Sequence, residues 1–133
     1  MNGGRRFIVA LCAALLAVAA QAHHSFPAEF DIDRPVQLTG RVTKVELINP
    51  HSWIHIAVTE EDGSETIWMI EGGAPNLLFR RGITAASIPI GSEITLDGWG
   101  ARDGANRAVG ERITFADGTP LFFRGTATPR SAD

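Results

Sequence analysis

Four histidines are the residues best able to do chemistry in this chain: His23, His24, His51 and His55, with none after residue 55. Neutral imidazole is the commonest biological metal ligand. The first two follow Ala20-Gln21-Ala22, the small-residue pattern at which export signals are cut. A cut after Ala22 makes His23 the N-terminus, with a free α-amine beside its imidazole, and those two nitrogens form a two-point chelate. A third nitrogen from His24, His51 or His55 completes a T-shaped or tetragonal nitrogen site, which suits Cu(II). Nickel is a weaker second, and zinc wants another ligand or a water. Glu29, Asp31 or Asp33 could supply an oxygen. Plainer readings stay open. His-His could be the pair a peptidase leaves behind, or a tail with no partner. His51 could bond a backbone carbonyl at the start of a strand, and His55 could be a partly buried strand histidine. Val18-Ala19-Ala20 also offers an earlier cut, which would leave the histidines inside the chain.

A second candidate is aromatic. Trp53 and His55 alternate onto one face of a strand pattern, Trp68 lies on the next strand, and Trp99 ends a later one. The Trp53 and His55 face could bind a ligand or a partner protein with no metal involved. Trp68 reads as core, since a domain this small needs large apolar groups inside.

Catalytic residues are not legible. Glu46, Glu71, Asp97 and Glu111 lie on or beside strands, and Glu71 reads as a strand-end carboxylate facing solvent. None is tied to a nucleophile, and no serine sits in a G-x-S-x-G elbow. Gly72-Gly73 lacks the Lys-Ser/Thr of a nucleotide loop. Asp103-Gly104 is turn chemistry, without the alternating carboxylates of a calcium loop. The one enzymatic exception is a redox-active copper at the histidines.

Composition and the leader set the compartment. Arg5 and Arg6 precede an apolar run from Phe7 to Ala20, which reads with the A-x-A site as a signal peptide over residues 1–22. The run is shorter than the roughly 20 residues of a spanning helix. The expected location is therefore periplasmic, with no stable membrane insertion after cleavage. Removing 22 of 133 residues leaves 111, one domain over residues 23–133. Cys12, the only cysteine, leaves with the leader. Thiolate metal sites, disulfides and cysteine nucleophiles are then excluded. The net charge goes from −3 to −5 as Arg5 and Arg6 leave, which disfavours nucleic acid as a partner. A small ligand or a periplasmic protein is the expected partner.

Strand patterns position these residues. Residues 36–47 alternate, with a phase slip beside Gly40 that suggests a bulge or bend. Residues 53–59 put Ile54, Ile56 and Val58 on one face. Glu61-Asp62-Gly63-Ser64 is a hairpin turn, and residues 66–71 form a third strand. Pro75 opens a short helix that Gly82 ends, and Thr84 caps a further turn. Strands follow over residues 93–99, 107–115 and 121–123. An N-terminal segment over 23–34 and a frayed tail over 125–133 flank this core. Three strands, a helix and two or three strands predict an all-β fold with one short helix, an OB-like barrel of five to six strands. An open sandwich or split barrel is the alternative.

The chain resembles a family of small exported bacterial proteins of uncharacterised function. The resemblance is carried by His23-His24-Ser25-Phe26 and by Thr39-Gly40-Arg41-Val42-Thr43-Lys44-Val45. It also rests on the N-P-H-x-W-I segment Asn49-Pro50-His51-Ser52-Trp53-Ile54, on residues 73–82 and on residues 102–108. It implies an OB-like fold and no established activity. The sequence thus points to a non-catalytic exported binding module. Its sharpest form captures Cu(II) through His23, and its alternative uses the Trp53 and His55 face.

Overall fold

The computed structural model describes residues 28–124. Six strands follow in order: β1 Phe30–Ile48, β2 His51–Thr59, β3 Glu65–Glu71, β4 Glu93–Ala101, β5 Arg107–Phe115 and β6 Pro120–Phe122. The helix α1, Pro75–Arg80, and a 3₁₀ turn, Ala85–Ser87, lie between β3 and β4. The fold is mostly β. Among the described residues no helix is long and apolar enough to cross a membrane.

The strands form one sheet in the order β3-β2-β1-β4-β5-β6. β3 also pairs with β5 in parallel, Ile70 opposite Ala108, so the hydrogen bonding runs round a ring through β1, β2, β3, β5 and β4. The length of β1 makes this ring feasible. Its C-terminal half pairs with β2, and its N-terminal half pairs with β4, with Arg41 opposite both Ala57 and Glu93.

β1 begins earlier than its alternation suggests. Phe30 pairs with Ala101, so the strand takes in the end of the expected N-terminal segment. The missing signal is apolar alternation, because Asp31, Asp33 and Arg34 lie at a polar edge. The irregularity falls between Val42 and Lys44, not at Gly40. Thr43 is the extra residue, and its hydroxyl donates to the His55 carbonyl at 3.1 Å. Gly40 serves another need: a Cβ there would lie 2.7 Å from the Ala57 carbonyl oxygen.

The inner face is apolar. Val42, Ile54, Ile56, Ile70, Ile94, Leu96, Ala108 and Ile113 meet inside the ring, with Trp68 packed against them. Leu78 from α1, Ile88 after the 3₁₀ turn and Phe123 after β6 join this core, each fully buried. Proline at the first turn sets α1 going, and Gly82 beyond Arg81 has φ of 76°, a conformation that favours glycine. Burying these side chains supplies the main stabilisation, on the order of 1.5–3 kcal/mol for each large one. A second cluster of Phe30, Ala101 and Val109, with Trp99 against it, lies apart from the first. It fastens the start of β1 to β4 and β5.

Candidate functional site

The outer face of β1, β2 and β3 gathers the polar residues singled out in the sequence. The Asn49-Pro50 turn sets Ile48 opposite His51. Counting back, Glu46 falls opposite Trp53 and Lys44 opposite His55. On the other side of β2, Glu71 falls opposite Trp53 and Met69 opposite His55. Trp53 therefore has a glutamate beside it on each neighbouring strand. Paired residues share a face, so these side chains form one surface.

Each glutamate holds a histidine. His51 Nδ1 lies 2.5 Å from Glu71 Oε1, and His55 Nε2 lies 2.8 Å from Glu46 Oε2. The two pairs differ in burial. The Glu71 side chain is 10% exposed and its histidine 48%. His55 is 17% exposed and Glu46 28%. Glu46 also takes the Lys44 ammonium at 2.8 Å.

Electrostatics separates the pairs further. Burial pushes the Glu71 carboxyl above its ordinary range; His51 opposes this, Glu29 adds to it, and Arg124 and Arg107 oppose it. Glu46 goes the other way. The hydrogen bond from Lys44, and then that from His55, hold its carboxyl below the usual value. Glu29, at the start of the described chain, therefore lies within electrostatic reach of Glu71. The Arg102 amide donates to the Glu29 carbonyl at 2.9 Å, and Phe30 next to it is buried.

An open groove of about 440 Å³ runs along this face, lined by Glu46, Ile48, Asn49, Pro50, His51, Trp53 and Met69. Ile48 is 66% exposed and supplies its apolar rim. A second groove of about 490 Å³ lies around Trp99, Glu111 and Phe122. Its acid Asp97 is already engaged by Arg112 at 2.7 Å and Gln37 at 2.9 Å.

Of the sequence candidates, His51, Trp53 and His55 share one face, and Trp68 points to the core side, paired with Ile56. His23 and His24 lie outside the described residues. His51 and His55 are four residues apart on a strand, about 13 Å, so they cannot bind one metal together. Of the two histidines, only His51 departs from the plain role open to it in the sequence. His51 bonds a carboxylate instead of a backbone carbonyl, and His55 is a partly buried strand histidine with an acid partner. Glu71 is not the solvent-facing carboxylate that its place at a strand end suggests; it is 7% exposed. Sequence reading missed both glutamates as histidine partners. The tight Asn49-Pro50 turn was the available signal, since it fixes the register that sets Glu46 beside Trp53.

Among the described residues, no group of three or more His, Cys, Asp or Glu side chains is placed to hold a metal ion. What the described residues offer alone is a flat tryptophan, two oriented imidazoles and an open groove, a surface suited to binding.

No curated protein and no solved structure matches the chain. A model described as a family of unknown function (DUF6152) matches residues 11–111, more than half of the chain, and the protein belongs to that family.

Proposed function

We propose that the protein is a non-catalytic exported binding module, an OB-like barrel whose working surface is the outer face of β1, β2 and β3 around Trp53. The ring order β1-β2-β3-β5-β4, with α1 between β3 and β4, supports the OB-like reading. Barrels of this kind bind along the face of their second and third strands. The carrying observation is Trp53 flanked on both sides by a carboxylate that orients a histidine. An aromatic face supplies contact area at small entropic cost, and the pairs supply directional polar groups at its edges. The leader over residues 1–22 supports a periplasmic location, with a small ligand or a periplasmic protein as partner.

Within this reading, Cu(II) capture by the processed N-terminus is favoured by one observation. Glu29 lies within electrostatic range of Glu71, which holds His51. His23 is six residues before Glu29, a reach of up to about 20 Å at full extension. A chain of that length is long enough to span the distance from Glu29 to the groove. Metal-free binding of a ligand or partner by the Trp53 and His55 face is the alternative, favoured by the open apolar rim at Ile48.

Tryptophan emission of the mature chain, titrated with cupric chloride and with sets of peptides and oligosaccharides, tests the surface. A saturable change lost in Trp53→Phe is the expected result. A change that persists in Trp53→Phe and vanishes in Trp99→Phe would move the site to the groove around Trp99. Loss of the signal at about pH 5, as imidazole and amine protonate, would mark the metal form.

A further inference from the structure

We infer that the groove around Trp99 is a second binding site, independent of the Trp53 face, which takes a small quaternary ammonium ion with Glu111 as its counter-charge.

The first argument is a bulge in β5. Asp97 pairs with Arg112 and Gly98 pairs with Gly110, so Glu111 is an extra residue with no partner on β4. Such a residue breaks the alternation of its strand and re-aims a side chain. The bulge is held from both sides. A Cβ at Gly98 would run into the Val109 carbonyl oxygen. The Glu111 carbonyl accepts the Phe123 amide at 2.9 Å and the Arg124 amide at 3.4 Å. The backbone of Glu111 is therefore fixed, and its side chain lines the groove.

Charge is the second argument. Asp97, Glu111 and Arg112 are the charged residues of the groove. Both oxygens of Asp97 are taken. Oδ2 accepts from Arg112 Nη2 at 2.7 Å and Nε at 3.1 Å, and Oδ1 accepts from Gln37 Nε2 at 2.9 Å. Glu111 is exposed and makes no hydrogen bond or ion pair through its side chain among the described residues. Its charge interacts with that of Arg124, which answers to Glu71 as well. The groove keeps one surplus negative charge, which a monocation balances.

The walls select the kind of cation. Trp99 and Phe122 both line the groove, and Phe122 is 37% exposed. An aromatic face attracts a cation through its quadrupole, and tryptophan does so best. A primary ammonium leaving water needs acceptors for three N–H groups, and a metal ion needs several oxygens. One carboxylate supplies neither. A quaternary ammonium has no N–H to satisfy and presents methyl groups to the rings. The groove volume, about 490 Å³, lies in the range of small-ligand sites. Binding forms no covalent bond and moves no proton.

Titration calorimetry of the mature chain with choline chloride, and with its uncharged isostere in which carbon replaces the nitrogen, tests the site. Choline should bind saturably and the isostere at least tenfold more weakly. Glu111→Gln and Trp99→Leu should each weaken choline about tenfold, within the span of a desolvated cation–π contact. Trp53→Phe should leave choline binding unchanged. Equal binding of choline and its isostere, or no binding of choline, overturns the proposal. So does unchanged affinity in Glu111→Gln. Weakening in Trp53→Phe alone would place the ligand on the other face and overturn the second site while leaving the Trp53 surface standing. Trp99 packs against Phe30, Ala101 and Val109, so if Trp99→Leu does not fold, Phe122→Leu is read in its place.

Discussion

The His51–Glu71 and His55–Glu46 pairs lie four residues apart on β2 and use the same two side chains, yet their surroundings make them different devices. In one, the acid is buried and the imidazole half exposed; in the other, the imidazole is mostly covered and the acid shares a lysine. A partly exposed acid shared between a lysine and a histidine is a surface cluster, and such clusters contribute little to stability. A buried acid behind an accessible imidazole fixes that ring and leaves its far nitrogen for a ligand. The comparison teaches that the location of the carboxylate, more than the presence of a histidine, decides which ring is available.

The largest expected effect tests whether the Glu71 end is rigidly backed. A Cβ at Gly72 would run into the Phe123 ring, which plugs the core. Gly72→Ala should cost about 1–3 kcal/mol, the usual range for overpacking. Urea denaturation measures it. On the other pair, Lys44→Ala should cost less than about 0.5 kcal/mol, as exposed ion pairs do. Equal losses at the two places would erase the structural contrast.

Next comes pH, where the two acids should act with opposite sign. The Glu71 carboxyl is raised in the folded state by burial, against His51, Arg124 and Arg107 and with Glu29. Its contribution is full below the unfolded value and is lost as pH rises through the folded one. Glu71→Gln should therefore gain on the wild type as pH rises above the ordinary glutamate value of 4.5. Glu46 is lowered, by Lys44 and then His55. Its contribution is full above the unfolded value and disappears as pH falls through the lowered one, so Glu46→Gln should lose most near neutrality. Thermal midpoints from pH 3 to 7 give both curves, and parallel curves would refute the contrast.

The smallest effect concerns Ser52, between His51 and Trp53 on β2. It is fully buried, its Oγ has no hydrogen-bond partner among the described residues, and its backbone joins Gly72 and Gly73. Removing an unsatisfied hydroxyl spares its desolvation cost, so Ser52→Ala should leave stability unchanged or raise it by about 1 kcal/mol. A clear loss in a denaturation curve would mean that the hydroxyl has a role on the inner side of this strand.

Much of the scaffold was legible in the residues. Ile54 and Ile56 alternate with Trp53 and His55, which predicted both faces of β2. Pro75 and Gly82 marked α1, and Asp62-Gly63 marked the β2–β3 turn. The start of β1 was hidden, because Phe30 and Pro35 flank polar residues and the pairing with β4 is non-local. The sequence puts the bulge too early because Gly40 breaks the pattern as visibly as Thr43 does. Glu46 and Glu71 read as strand carboxylates in the sequence, but their histidine partners depend on cross-strand register. A slip of one residue would turn every one of these side chains to the other face. Burial of Glu71 was equally invisible, since β3 pairs there with both β2 and β5, and the β5 pairing is non-local.

The most direct test of the contrast is nuclear magnetic resonance of the mature chain with substoichiometric Cu(II), following the ring signals of both histidines. Paramagnetic broadening should erase His51 and Trp53 first while His55 stays sharp. Broadening of His55 before His51, or of neither, would contradict the claim that the pair built on buried Glu71 is the working end of this face.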